Sequence, residues 1–214
     1  MRTATETFYV KLNNLEWERP KFKSERKLPR IPTKEEIMNV ISASSKKYAV
    51  IFKILMETGV MPHELANVDR RDIDLDRSIL SVQGFKGHTS RSFKLKNDTL
   101  ACLRVYLYRV KDAKPFPDSK WMGKIWRRLR KRVAEKLCNP SVETIRLYDL
   151  RHFYATTLYH KTKDILLVKQ QLGNKKIETT LVYTQLVRAR IQTGVFYIRD
   201  IVVSADYAPV FSVF

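Results

Sequence analysis

Helical periodicity over residues 148–184, YDLRHFYATTLYHKTKDILLVKQQLGNKKIETTLVYT, constrains the fold of this chain more than any other stretch. Leu150, Phe153, Tyr154, Thr157 and Leu158 recur at helical spacing and predict a helix that packs one apolar face into a core, with Arg151 and His152 near its beginning. A second periodic run, Ile165, Leu166, Val168, Lys169 and Leu172, stops at Gly173-Asn174, a pair suited to a left-handed helix terminus. The basic loop Lys175-Lys176 then leads into the segment Ile177 to Leu186, which carries Tyr183, 32 positions after Arg151.

An arginine beside a tyrosine has a specific chemical use. The guanidinium fork holds two nonbridging phosphate oxygens at once and stays charged at any working pH. A tyrosine hydroxyl is a weak nucleophile unless neighbouring cations favour its phenolate. Together they can attack a phosphodiester and keep the product covalently on the protein, a reaction that requires neither metal nor nucleotide. No cofactor is expected.

The charge balance agrees with a phosphate-bearing partner. Lys and Arg number 41 against 22 Asp and Glu, a net +19, which points to a polyanion such as nucleic acid or to an anionic membrane surface. Cys102 and Cys138 are the only cysteines and belong to no close Cys/His cluster, which argues against a disulfide framework and a zinc site. The N terminus lacks the apolar core of a signal peptide, and no apolar run approaches the roughly 20 residues that cross a bilayer. A soluble, intracellular protein, cytoplasmic or nucleoid-associated, is expected.

Residues 1–32 form a basic leader or linker punctuated by Pro20, Pro29 and Pro32, with Trp17 among its few apolar anchors. Thr33-Lys34-Glu35-Glu36 has the spacing of a capping box and opens a helix that buries Ile37, Val40 and Ile41. Tyr48, Ile51, Phe52, Leu55 and Met56 mark a second helix ending at Thr58-Gly59. The β-rich run Ile79 to Val82 and the run Arg91 to Leu95, separated by a polar Gly-containing turn, predict a hairpin. Asn97 to Val110 reads as a helix with Leu100, Leu103, Val105, Leu107 and Val110 on its apolar side and an Asn or Asp as cap. From Ser119, a strongly basic helix places Lys124, Arg127, Arg128, Arg130, Lys131, Arg132 and Lys136 around Trp121, Ile125, Trp126, Leu129 and Val133. With only Glu135 opposing them, these cations favour a surface that tracks phosphates, with Lys124, Arg127, Arg128 and Lys131 as DNA contacts. Lys175 and Lys176 join that set. The tail, residues 192–214, is β-prone and nearly uncharged, so it is expected to dock on a sheet edge or groove in cis or in trans.

The order of these residues resembles the catalytic half of the tyrosine recombinases, the phage integrase and Xer-like family. The matching positions are Leu150-Arg151-His152, the Leu172-Gly173 turn and Tyr183-Thr184, and the resemblance extends from about Leu28 to Leu186. It implies a mainly α fold with a small antiparallel β-sheet, a tyrosine recombinase catalytic domain over residues 33–191. It also implies site-specific DNA recombination through a 3′-phosphotyrosyl link made by Tyr183. Arg151 would stabilise the phosphorane, and Lys86, in Gly84-Phe85-Lys86-Gly87, matches the mobile lysine that protonates the leaving 5′ oxygen. The same likeness implies double-stranded DNA as the partner, no membrane, and a tetramer assembled on the DNA. The family's separate helical clamp domain does not fit into the short leader, so a catalytic domain alone is expected.

Three positions depart from the family pattern. In Thr58 to Leu75, TGVMPHELANVDRRDIDL, the place of the first catalytic arginine is taken by Met61, whose thioether supplies neither charge nor fork. Activity is therefore expected to be impaired, with a catalytically degenerate DNA-binding protein as the alternative; His63, Arg70 and Arg71 are the nearby candidates to replace the lost charge. Tyr148 and Asn174 stand where the family commonly has histidine, or histidine or tryptophan. Both can hydrogen-bond a phosphate oxygen, but neither titrates near neutrality. His152 is read as a buried positioning partner in preference to a primary acid.

Overall fold

The computed structural model describes residues 30–84 and 89–192. The expectations placed on residues 1–29, on Lys86 and on the tail from 193 onward lie outside the described residues. In chain order the elements are α1 (Lys34–Ser42), α2 (Lys46–Thr58), α3 (Pro62–Ala66), a 3-10 turn (Arg70–Asp72), β1 (Ile73–Asp74), β2 (Ile79–Val82), β3 (Arg91–Lys94), α4 (Asn97–Arg109), α5 (Ser119–Lys136), α6 (Pro140–Glu143), α7 (Asp149–Thr162), α8 (Ile165–Leu172) and α9 (Glu178–Gln192). The expected mainly helical fold with a small antiparallel sheet is what forms.

Local chemistry explains most boundaries. The capping box at α1 is complete: Glu36 N donates to Thr33 Oγ1 at 3.1 Å and Thr33 N to Glu36 Oε2 at 2.9 Å. Gly59 ends α2 at φ 64° and Gly173 ends α8 at φ 69°, left-handed conformations that a Cβ would strain. At both, close packing also needs glycine, since a Cβ would lie 2.4 Å from the Tyr154 ring at Gly59 and 2.5 Å from Arg91 Nη1 at Gly173. The sheet has strand order β1-β2-β3, all antiparallel, with Leu80 paired to Ile73 on one side and Phe93 on the other.

The main core joins α1, α2, the sheet, α4 and α5 around Phe52 and Trp126, whose rings meet edge to face with centroids 4.9 Å apart. A second cluster, Ile31, Ala155, Val168, Leu172, Tyr183 and Leu186, binds α7, α8 and α9 together. α7 lies between the two, packed against α2 on one side and α8 and α9 on the other. Its most enclosed residues are Asp149, Leu150, Arg151, Ala155 and Thr156, so burial extends beyond the single predicted stripe.

Two helical faces are rotated from expectation. In α4 the buried residues are Thr99, Leu103, Tyr106 and Leu107, whereas Val105 is exposed. The Tyr106 ring turns inward because its hydroxyl donates to the Pro115 carbonyl and its face stacks on Phe116. The α4 cap is Lys96, with no side-chain bond; Asn97 and Asp98 are inside the first turn, and Asp98 pairs with Lys53. In α5 the buried stripe is Met122, Trp126, Leu129 and Val133, and Trp121 is 54% exposed with Lys124 Nζ 4.7 Å from its ring centroid.

Candidate active site

The N-terminal turn of α7 is shaped by Asp149, whose carboxylate accepts from Arg146 N at 2.7 Å and from Arg146 Nη2 at 3.0 Å. A carboxylate in the first helical turn is favourable against the partial positive charge there. This fixes the direction in which the next residues leave the helix. Arg151, only 2% exposed, points inward.

Its guanidinium meets three acceptors: Nη1 donates to Gly59 O at 2.9 Å, and Nη2 to Leu172 O at 2.8 Å and to Asn174 Oδ1 at 3.0 Å. Gly59 and Leu172 are at the C-terminal ends of α2 and α8, where unpaired carbonyls carry the negative end of the helix dipole. Burial lowers the Arg151 pKa, with Tyr148, Tyr183 and Glu64 pulling the other way; a guanidinium remains protonated all the same. Asn174 Nδ2 in turn donates to Thr180 Oγ1 at 3.2 Å, tying the guanidinium to the helix that carries Tyr183.

Tyr183 is 3% exposed, and its Oη lies 3.2 Å from His152 Nδ1. Burial pushes the phenol's pKa upward, Tyr148 adds to this and Arg151 opposes it, so the hydroxyl is neutral here. Burial also lowers the pKa of His152, against Asp149 and in the same direction as Arg146 and Arg151, which keeps the imidazole neutral at pH 7. In the tautomer protonated at Nε2, Nδ1 accepts the phenol's proton in a hydrogen bond. The Tyr148 ring stands edge-on to His152, centroids 5.0 Å apart, and is 42% exposed. Arg151, His152, Asn174, Tyr183 and Tyr148 therefore form one connected group.

The Met61 side is built differently. Met61 is half-buried at the N-cap of α3, and its backbone N donates to Glu64 Oε2 at 2.9 Å. The same oxygen takes Arg91 Nη2 at 2.6 Å, a pair with side chains 0% and 5% exposed. Glu64 Oε1 and Arg91 Nε are buried without a hydrogen-bond partner among the described residues. Arg91 also donates to Thr89 O at 2.9 Å. Arg70 is committed to the carbonyls of Val110 and Leu107 at 2.7 and 3.1 Å, and Arg71 is 80% exposed beside Asp69. The sequence offered no pattern for Arg91, one of two cations, with Lys94, in a four-residue strand; only its burial against Glu64 distinguishes it.

Lys124, Arg127, Arg128 and Lys131 are exposed along α5, and Lys175 and Lys176 are exposed in the turn between α8 and α9, directly after Asn174. Among the described residues there is no group of three or more His, Cys, Asp or Glu placed to hold a metal, and no helix long and apolar enough to cross a membrane.

The sequence profile of the phage integrase family matches residues 32–190, and the chain belongs to that family. It is 30% identical over 146 residues to a probable integrase/recombinase protein of Methanocaldococcus jannaschii, covering 63% of this chain and 44% of the relative. To the tyrosine recombinase XerA of Thermococcus kodakarensis it is 30% identical over 173 residues, 75% of this chain and 60% of the relative. The chain thus spans 44% to 60% of the length of these curated relatives. Among solved structures, the XerA recombinase superposes with a TM-score of 0.64 at 24% identity, covering 90% of this chain and 74% of that one. The XerH site-specific recombinase, in a post-cleavage complex with its difH substrate, gives 0.61 at 24% identity over 78% and 53%. These likenesses establish the tyrosine recombinase catalytic-domain fold.

Proposed function

We propose that this chain is the DNA-cleaving and rejoining part of a site-specific recombinase, acting in integration or excision. The observation that carries the reading is the Tyr183–His152 contact at 3.2 Å beside a buried Arg151. Tyr183 Oη attacks a DNA phosphorus while its proton passes to His152 Nδ1; the P–O5′ bond breaks, leaving a 3′-phosphotyrosyl link and a 5′ hydroxyl. The leaving oxygen takes a proton from Lys86, the role that the family resemblance implies for it. Arg151 stabilises the charge on the phosphorane, while Asn174 orients it and Tyr148 offers a hydroxyl to a phosphate oxygen. Because the link conserves the energy of the broken ester, a 5′ hydroxyl from another strand reverses the step without ATP. The relatives' names as tyrosine recombinases support this, and the strong positive charge supports duplex DNA as substrate. Residues 33–191 serve as the catalytic unit; residues 1–32 and the tail from 192 serve as a DNA-contacting leader and a docking segment between protomers of a tetramer.

A second reading is a member of the same fold that binds DNA without competent cleavage. Met61 favours it, since the neighbouring guanidinium of Arg91 is neutralised by Glu64 and Arg70 is held by carbonyls. A nicked suicide duplex separates the two. Covalent protein–DNA product that disappears in Tyr183→Phe supports the enzyme; sequence-specific retention with no trapped product supports the binder.

A further inference from the structure

The basic helix α5 carries a glycine that the fold itself does not use. Gly123 lies in the helix interior, where glycine is less favourable than alanine, yet a Cβ built there would meet nothing within 4 Å. It needs no left-handed conformation and admits no neighbouring side chain. What it faces is an open cavity of about 450 Å³ between α5 and the turn leading into α7, with Trp126 at its back and Lys120, Arg127, Arg130 and Arg146 around it.

The walls are preset for an anion. Trp126 Nε1 and Arg130 Nη1 both donate to Ile145 O, at 3.0 and 2.7 Å, which holds the Arg130 guanidinium at the cavity wall. Arg127 folds back along the helix, its Nε 3.3 Å from Gly123 O. Arg146 reaches the cavity from the opposite wall while bonded to Asp149, among the described residues the one acidic group paired to these four cations, and its side chain stays 63% exposed. A guanidinium braced by one acceptor still has donors to offer an oxyanion. The cavity also adjoins the catalytic group, since lining residue Leu147 is followed by Tyr148, which packs on His152.

From the unfilled Gly123, the cavity and its four cations, we infer that this is a seat for a backbone phosphate of duplex DNA outside the cleaved position, and that Gly123 is side-chain-free so that the DNA backbone can approach the helix. The inference rests on the DNA-cleaving reading and adds Lys120, Gly123, Arg130 and Arg146 to the contacts expected of Arg127. Phosphate seats position without reading sequence, so the effect is measurable on a short duplex of arbitrary sequence.

Gly123→Leu and Gly123→Ala, made in the full chain, separate fold from function. Both are expected to raise Tm by about 2–4 °C, as removal of a mid-helix glycine with room for a side chain does in a domain of this size. At the same time Gly123→Leu should weaken duplex binding about tenfold and reduce the slope of log K against log salt by about 1, as Arg127→Ala should also do. A raised Tm with unchanged affinity and salt slope in Gly123→Leu overturns the seat while leaving DNA binding intact. Failure of the unaltered protein to retain any duplex overturns the DNA reading, and the seat with it.

Discussion

The two sides of the candidate site treat positive charge in opposite ways. On the α7 side, Arg151 is buried but not neutralised: its acceptors are two helix-end carbonyls and one amide, all uncharged. On the α3 side, the Arg91 side chain is also enclosed but faces the full negative charge of Glu64 at 2.6 Å, and Met61, whose backbone bonds the same carboxylate, has no charge. An arginine solvated by dipoles keeps most of its field for a bound anion, whereas one paired with a carboxylate spends it locally. The comparison teaches that enclosure of an arginine says little about its use until the charge of its acceptors is counted.

The largest expected break in this asymmetry is Arg151→Ala. It removes the guanidinium that uncharged acceptors hold beside Tyr183 and His152, and trapping on nicked DNA should fall roughly 1,000-fold or more. The orphaned carbonyls and amide should also lower stability by about 1–3 kcal/mol, read from urea unfolding. Met61→Arg tests the other flank. Supplying a charge and a donor near the unpartnered Glu64 Oε1 should raise the rate of covalent trapping on the order of 100- to 1,000-fold; an unchanged rate would mean that position 61 does not face the phosphate or that another group already fills the role. The smallest expected effect comes from His152→Gln, which keeps a hydrogen bond to Tyr183 but cannot take its proton, and should slow cleavage roughly 100-fold. The pH dependence fixes the sign. His152 is lowered from its ordinary value by burial, so it is neutral and able to accept a proton above its folded pKa, and activity falls as pH drops through that value, below 6.5. That acid limb should vanish in His152→Gln.

Much of the fold was legible because its boundaries rest on local chemistry. Thr33 and Glu36, Gly59 and Gly173 all declare helix ends through residue types with few other uses, and the hairpin strands appear where their β-rich runs placed them. Faces were less legible where tertiary partners overrode the period. Tyr106 displaces Val105 inward because Pro115 and Phe116 receive it, and Met122 displaces Trp121 because the larger ring finds a cation outside. At the site, Arg151 and Tyr183 were marked by their spacing, but the partners that give them their properties come from elsewhere in the chain. Gly59 O is 92 residues from Arg151, and no local pattern announces a carbonyl acceptor. The pairing of Glu64 with Arg91 across 27 residues was equally silent.

The turn at Leu172-Gly173-Asn174 has one more consequence. Leu172 and Asn174 grip Arg151, while between them Gly173 O accepts the backbone N of Thr89, at the C-terminal side of the hairpin connection whose sequence includes Lys86. Three successive residues thus couple the arginine to Thr89, two residues ahead of β3, like a shared hinge pin. A shift at Thr89 is thereby felt at the guanidinium, because the same three residues hold both.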